Sequence, residues 1–460
     1  MSRKPKLKPL SRQVIVITGA TSGIGLATAR RAAKAGACVF LIARGEADLK
    51  ALCEEIQAEG GRCAYAAADV ADHDALAEAA DNCRRLFGGF DTWVNNAGVS
   101  IYGAIRETTL EDHKRLFDTN YWGVVNGSIV AVEHLRARPG GGAVVNVGST
   151  LSDAPFPVQG LYAASKHAVK GFTNALRVEM LREGAPVKVS LVKPAAVDTP
   201  YPRHARNLTG EAVRTPQPVY ASHVVADAIL HCATHSTREI TVGGSASVLG
   251  AFYAMFPGVA EPLLARFGPS MLRDRRADYQ TYDDGLYDPT EDGLYEEVHY
   301  PMVRQSSLLA QARMHPGVTG GGLALIALAG VAAVLLSQRT GPTRYERLRS
   351  RVDPRNWRRQ PRMADRLGRW TDRVRDDAED WSGRAARDAR RWFDRAAEAF
   401  PGEEIEARAR KTGRMARDGA ARTGRFARDH AREGGALLAL ATIAAAVGAA
   451  ALEHHRAQDR

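Results

Sequence analysis

Seven short apolar runs recur between residues 14 and 242, and each is separated from the next by a stretch long enough to form a helix. They are Val14-Thr18, Cys38-Ala43, Cys63-Ala67, Thr92-Asn95, Ala143-Gly148, Val187-Val192 and Glu239-Val242. Runs this short and this uniformly apolar predict strands buried on both faces. Strands that alternate with helical stretches of roughly 10 to 20 residues require a parallel sheet covered by helices on both sides. The predicted class is therefore α/β, a doubly wound parallel sheet over residues 13–268. At about 150 residues per domain, a chain of 460 residues has room for more than that unit. Residues 1–12 form a basic segment. The apolar run after it is too short for the core of a signal peptide and passes straight into glycines without a small-residue cleavage site, so it reads as a first strand.

That first strand ends in Thr18-Gly19-Ala20-Thr21-Ser22-Gly23-Ile24-Gly25, and a helical pattern follows directly. Glycines let a backbone approach a pyrophosphate closely, while the helix N-terminus offers unpaired N–H groups and a partial positive charge. The placement between strand and helix marks a dinucleotide site. The second strand ends Leu41-Ile42-Ala43-Arg44. An acid there would hydrogen-bond an adenosine ribose, whereas an arginine can pair with a 2′-phosphate, so Arg44 favours NADP(H) over NAD(H). Asp69-Val70 closes the third strand and Asn95-Asn96-Ala97-Gly98 the fourth.

Tyr162 and Lys166, four residues apart, share one helix face, with Ser149 thirteen residues before the tyrosine and Asn120 twenty-nine before the serine. A tyrosine titrates near 10 unperturbed and exchanges protons poorly at neutral pH unless a cation favours its phenolate. Lys166 can supply that cation. Ser149, at a strand end, can donate to a carbonyl oxygen on which negative charge develops. Either Tyr162 or Lys166 alone would read as an ordinary helix-face residue; in this order, behind a dinucleotide loop, the group reads as catalytic.

Taken together, Thr-Gly-x-x-x-Gly-x-Gly, Asn-Asn-Ala-Gly, Asn120, Ser149 and Tyr-x-x-x-Lys resemble the short-chain dehydrogenase/reductases over roughly residues 10–268. The resemblance implies a Rossmann-like fold and an oxidoreductase that interconverts a carbonyl and an alcohol. It implies that Tyr162 is the acid/base, that Lys166 also holds the nicotinamide ribose, that Ser149 orients the carbonyl, and that Asn120 supports a proton-relay water. It further implies a cofactor pocket formed by Thr18, Gly19, Ser22, Gly23, Ile24, Gly25, Arg44, Asp69 against the adenine, Val70, Asn95, Ala97 and Gly98. Pro194, Val197 and Thr199, the last against the carboxamide, complete it. Ala195 stands where the family usually has glycine. The family's substrate region falls on 201–218 and 249–267; Phe252, Tyr253, Met255, Phe256, Leu263 and Leu264 in the latter suit a lipophilic substrate, or equally core packing. Homodimers or homotetramers are implied through the helices that carry Asn120 and Tyr162.

The resemblance is silent past residue 268. Residues 278–300 hold eight acids, no Lys or Arg, five tyrosines and two copies of Asp-Gly-Leu-Tyr, at 284–287 and 292–295; the stretch 269–316 reads as an acidic, tyrosine-rich linker, solvated in preference to the alternative of a substrate lid. Residues 317–337 are free of charge, about 31 Å as a helix, and read as a transmembrane span. Residues 434–452 form a second uncharged run, rich in alanine, that either spans or packs as a helix, before a short tail, 453–460. Between them, 338–433 carries an eleven-residue repeat with Trp370, Trp381 and Trp392 along one stripe, an amphipathic pattern suited to a membrane surface. The net charge of +11 belongs largely to this tail: residues 340–434 hold 26 Arg/Lys against 17 Asp/Glu, which leaves +2 elsewhere. An anionic membrane surface is the expected partner. Acids interleaved with the arginines, and the flanking apolar runs, argue against nucleic acid. The expected protein is membrane-associated with its catalytic domain facing the cytoplasm. The alternative is a membrane-organising scaffold with a cofactor-sensing domain. Five widely spaced cysteines without a Cys-x-x-Cys predict neither a disulfide framework nor a metal site.

Overall fold

The computed structural model describes residues 5–274, 279, 284–290 and 293–315. The expected membrane span, repeat segment and second apolar run lie outside the described residues. Among the described residues no helix is long and apolar enough to cross a membrane.

The chain runs β1 (Val14–Thr18), α1 (Gly23–Lys34), β2 (Cys38–Ala43), α2 (Glu46–Ala58), β3 (Arg62–Ala67), α3 (His73–Phe87), β4 (Thr92–Asn95) and β5 (Ile101–Tyr102). It continues through α4 (Leu110–Phe117), a π-turn (Asp118–Trp122), α5 (Gly123–Ala137), β6 (Gly142–Val147), α6 (Gly160–Glu183), β7 (Val187–Pro194), β8 (Val197–Asp198), α7 (Tyr201–His204) and β9 (Arg206–Asn207). β10 (Val219–Ala221), α8 (Ser222–Thr234), β11 (Glu239–Val242), α9 (Gly244–Met255), α10 (Pro257–Leu272), β12 (Val303–Arg304) and α11 (Leu308–Met314) follow. Each expected strand is present, displaced by at most two residues at an end.

Seven strands pair in the order β11-β7-β6-β4-β1-β2-β3, and every pair is parallel. This is the Rossmann-like, doubly wound arrangement. Both faces of the sheet are covered, which is why the strands are apolar at successive positions. Ile15 and Ile17 pack with α1, α2 and α8, while Val16 between them packs with α3, α5 and α6. Because the strands are parallel, their carboxyl ends share one edge. The order reverses between β1 and β4, and a crevice opens there.

A polar seam inside the sheet fixes the helices beneath this edge. Asn95 and Asn146 are register partners on β4 and β6, and Asn95 Nδ2 donates to Asn146 Oδ1 at 2.8 Å and Ser128 Oγ at 3.0 Å. Trp93 Nε1 donates to Asn95 Oδ1, and Asn146 Nδ2 reaches Thr173 Oγ1 on α6. A β-carbon at Gly127 would overlap Asn95 Oδ1, so α5 can lie this close only as glycine.

Two features differ from expectation. Cys53 on α2 and Cys63 on β3 form a disulfide with Cα atoms 5.4 Å apart, because the tight α2–β3 turn returns the chain onto itself; Cys38, Cys83 and Cys232 are buried free thiols. The stretch 269–316 is no solvated linker where it is described. It finishes α10, forms β12 and α11, and sends a strap, 284–290 and 293–300, over the carboxyl edge of the sheet. Its acids find partners that composition does not reveal: Asp284 pairs with Arg206, Glu296 with Arg30, and Ser222 donates to Glu296 and Glu297. Leu286 is fully buried beside Ile101, Leu116 and Leu161.

Candidate active site

The β1–α1 turn is locked to the loop after β4. Thr18 Oγ1 donates to Val94 O and accepts from Asn96 N and Ala97 N at 3.0 and 3.1 Å, while Asn96 Nδ2 donates to Thr18 O and Gly19 O. Gly19 takes φ +62°, and a β-carbon there would sit 2.7 Å from Ala97 Cα; one at Gly25 would overlap the Gly19 carbonyl oxygen. These two glycines therefore shape the loop itself. Gly23 donates its N–H to Tyr295 O of the strap at 2.9 Å.

A cleft of about 220 Å³ opens above this lock, bordered by Gly19, Ser22, Ile24, Arg44, Asp69, Val70, Ala97, Gly98 and Thr199. Burial raises the Asp69 carboxyl, but the Ala71 N–H at 2.9 Å and Arg115 Nη2 at 2.7 Å outweigh it and hold the group below its usual range. The cleft is also bordered by Thr119, whose buried hydroxyl has no hydrogen-bond partner among the described residues.

A second cavity of about 350 Å³ adjoins the first through Ile24, Asn96, Gly98 and Tyr201. Ser149, Tyr162, Lys166, Pro194 and Val197 border it. Ser149 follows β6, and its Oγ accepts from Leu151 N at 3.1 Å, which fixes the hydroxyl. Tyr162 and Lys166 lie one turn apart on α6, a helix of 24 residues closed by Gly184 in the left-handed region. The Lys166 ammonium stands 5.5 Å from the centre of the Tyr162 ring and donates to Val147 O at 3.1 Å. Burial pulls Lys166 down to about 8. Burial pushes Tyr162 up to about 12, against hydrogen bonds from Ser149 and Tyr201 that lower it.

Asn120, in the π-turn, is fully buried: Oδ1 accepts from Val99 N at 2.8 Å, and Nδ2 donates to Val99 O and Ser165 Oγ. It borders neither cavity and acts on the site by holding the loop after β4 against α6. Asn95 likewise faces away, because its amide is consumed in the seam between β4 and β6; its neighbour Asn96, not singled out from sequence, borders both cavities. Tyr201 heads the expected substrate region 201–218 but was given no role of its own. Its hydroxyl is hydrogen-bonded to Ser100 Oγ at 2.6 Å, accepts from Gln159 Nε2 at 3.0 Å, and its ring meets that of Tyr162 edge-on at 5.5 Å. Its place at the head of that region was the available signal.

The residues fit a dinucleotide. Two joined cavities match its two halves, the orphaned Thr119 hydroxyl sits in one, and in the other the buried Lys166 ammonium has one carbonyl acceptor among the described residues, which suits ribose hydroxyls.

Residues 13–208 match a family profile described as short chain dehydrogenase. The chain is 41% identical over 286 residues to the uncharacterised oxidoreductase YxnA of Bacillus subtilis, covering 62% of this chain and 80% of that protein. It is 36% identical over 194 residues to a 3beta-hydroxysteroid dehydrogenase of Mediterraneibacter gnavus, covering 41% of this chain and 67% of that protein. In fold it is similar to a short chain dehydrogenase/reductase from Burkholderia phymatum crystallised with NAD, with TM-score 0.51 and 24% identity, over 60% of this chain and all of the other.

Lys166 makes a prediction about stability. Its folded pKa lies below the ordinary 10.5, so the unfolded chain binds more protons between about pH 8 and 10.5, and stability should rise with pH across that window. Lys166→Met removes the buried charge. Urea denaturation should find it more stable than the wild type at pH 7 by about 2 kcal/mol, with the advantage lost by pH 10.5. An equal or lower midpoint at pH 7 would show the ammonium to be well accommodated.

Proposed function

The chain belongs to the short-chain dehydrogenase/reductase family and is an oxidoreductase; on that premise we propose that it interconverts a carbonyl and an alcohol on a lipophilic small molecule, with NADP(H) as cofactor. The observation that carries this reading is the convergence of Ser149, Tyr162 and Lys166 on one cavity that opens into the glycine-loop cleft. The cofactor would supply or accept hydride at the substrate carbon. Ser149 and Tyr162 would donate hydrogen bonds to the substrate oxygen, where charge develops, and Tyr162 would transfer its proton there. Lys166 would hold the nicotinamide ribose and favour the Tyr162 phenolate, and Tyr201 would support that phenolate together with Ser149. The absence of an acid at Ile42 and Ala43 and the presence of Arg44 support NADP(H). Tyr102, Leu151, Phe156, Leu249 and Met271 around the cavity support a lipophilic substrate, in keeping with the steroid activity named for one relative.

The test is nucleotide oxidation by the full chain against ketones and aldehydes from small and polar to long-chain. Tyr162→Phe should lower turnover by about a hundredfold or more while the nucleotide still binds. Tyr201→Phe removes a hydrogen bond that lowers the Tyr162 pKa, so the alkaline rise of alcohol oxidation should move to higher pH with nucleotide affinity unchanged. A wild-type protein that binds neither nucleotide would refute the proposal.

We further propose that the protein is held at a membrane by residues 317–337, with the basic segment 340–434 on the cytoplasmic leaflet. The uncharged length of the first and the net +9 of the second support this. Protease added to sealed vesicles should reach both the catalytic domain and 340–434 from the same side; protection of the latter alone would overturn it. Exposed apolar side chains on α5 and α6, Ile129, Val178 and Leu181, support a homo-oligomer.

A further inference from the structure

Arg44, the residue that should read a 2′-phosphate, is already engaged. Its Nη1 donates to Tyr287 O at 2.8 Å, and its Nη2 donates to Gly285 O at 2.7 Å and Asp288 O at 2.9 Å. A guanidinium grips an anion with parallel hydrogen bonds along either of two edges, Nε with Nη2 or Nη1 with Nη2. Both edges share Nη2, and both of its protons point at strap carbonyls. Arg115 at the same corner is held too, with Nε on Leu286 O at 2.9 Å and Nη2 on Asp69 at 2.7 Å.

The turn at 285–288 is anchored from outside the cleft. Leu286 fills an apolar socket, Asp284 pairs with Arg206 at 2.8 Å, and the Tyr287 hydroxyl donates to Asp112 at 3.0 Å. Further on, Asp198 accepts the N–H groups of Val298, His299 and Tyr300, and Tyr295 O takes the Gly23 N–H. Gly285, Pro289, Thr290 and Gly293 thereby become one wall of the cleft.

The two nicotinamide dinucleotides meet this wall differently. A ribose 2′-hydroxyl can donate as well as accept and suits a corner lined by carbonyl oxygens. A 2′-phosphate only accepts, and it meets three carbonyl oxygens around a guanidinium that has no free edge. We propose that the 285–288 turn competes with the cofactor's 2′-phosphate for Arg44, so that NADP(H) binds only as the turn releases it, whereas NAD(H) binds beneath the closed strap. Leu286, Asp284 and Tyr287 are then specificity-determining residues, although none of them needs to touch the nucleotide. The inference rests on the nicotinamide dinucleotide reading above.

The test measures NAD+ and NADP+ affinity, by calorimetry on the full chain, in the wild type and in Leu286→Ala and the milder Tyr287→Phe. Loosening the turn frees about one charge-assisted hydrogen bond for the phosphate, so Leu286→Ala should tighten NADP+ roughly tenfold while NAD+, which depends on the closed turn, binds no tighter, with Tyr287→Phe intermediate. Hydrogen exchange across 284–290 should quicken with saturating NADP+ and not with NAD+. NADP+ affinity that stays constant, or falls together with NAD+, in both variants overturns the competition; so does equal protection of the strap by both nucleotides. A wild type that binds neither nucleotide overturns the underlying oxidoreductase reading instead.

Discussion

The site depends on one small lock, the hydroxyl of Thr18 set between β1 and the loop after β4. It binds Val94 O, Asn96 N and Ala97 N at once, and Asn96 returns two bonds to the turn that follows Thr18. The lock closes the crevice floor at the point where the strand order reverses. It presses Gly19 against Ala97 so closely that no larger residue fits. Every group facing the cofactor or substrate is placed relative to this floor. Arg44 and Asp69 come from strands on one side of it, Ser149 and the Tyr162–Lys166 pair from elements on the other.

A second layer fixes the reacting side. Asn120 fastens the loop after β4 to α6, and the Asn95–Asn146 seam fastens β4 to β6 and both to α5 and α6. Three asparagine side chains thus tie these elements together. Burial then sets the poise of the Tyr162–Lys166 pair, since it disfavours charge on both. Ser149 and Tyr201 oppose that effect on the tyrosine, so the phenol is tuned from two sides.

The strands and the shared helix face of Tyr162 and Lys166 were legible in the sequence for direct physical reasons. A strand buried on both faces must be apolar at successive positions, as Val14 to Ile17 are. Tyr162 and Lys166 had to share a helix face at their spacing. What was not legible depended on contacts distant in sequence. Asn95 and Asn96 are adjacent and chemically identical, and only the pleat decides which one enters the sheet and which faces the cleft. The acidic, tyrosine-rich stretch has the composition of a linker; its partners Arg30, Arg44, Arg115 and Arg206 lie on four other elements. The Cys53–Cys63 bridge needed the geometry of the α2–β3 turn, and Tyr201 needed its ring to be seen against Tyr162.

The strap also bears on the order in which the protein can become active during its synthesis. The bonds between Arg44 and the 285–288 turn join residues more than 240 positions apart. A chain emerging from the ribosome can pair β1 with β2 and form the glycine turn early, because those contacts are local. It must wait for some two hundred and fifty more residues before Arg44 and the amino end of α1 receive their covering. The nucleotide cleft begins with the first strand to be made but is finished by a segment near residue 300, so the emerging chain passes through a long interval in which its anion-binding floor is built and open.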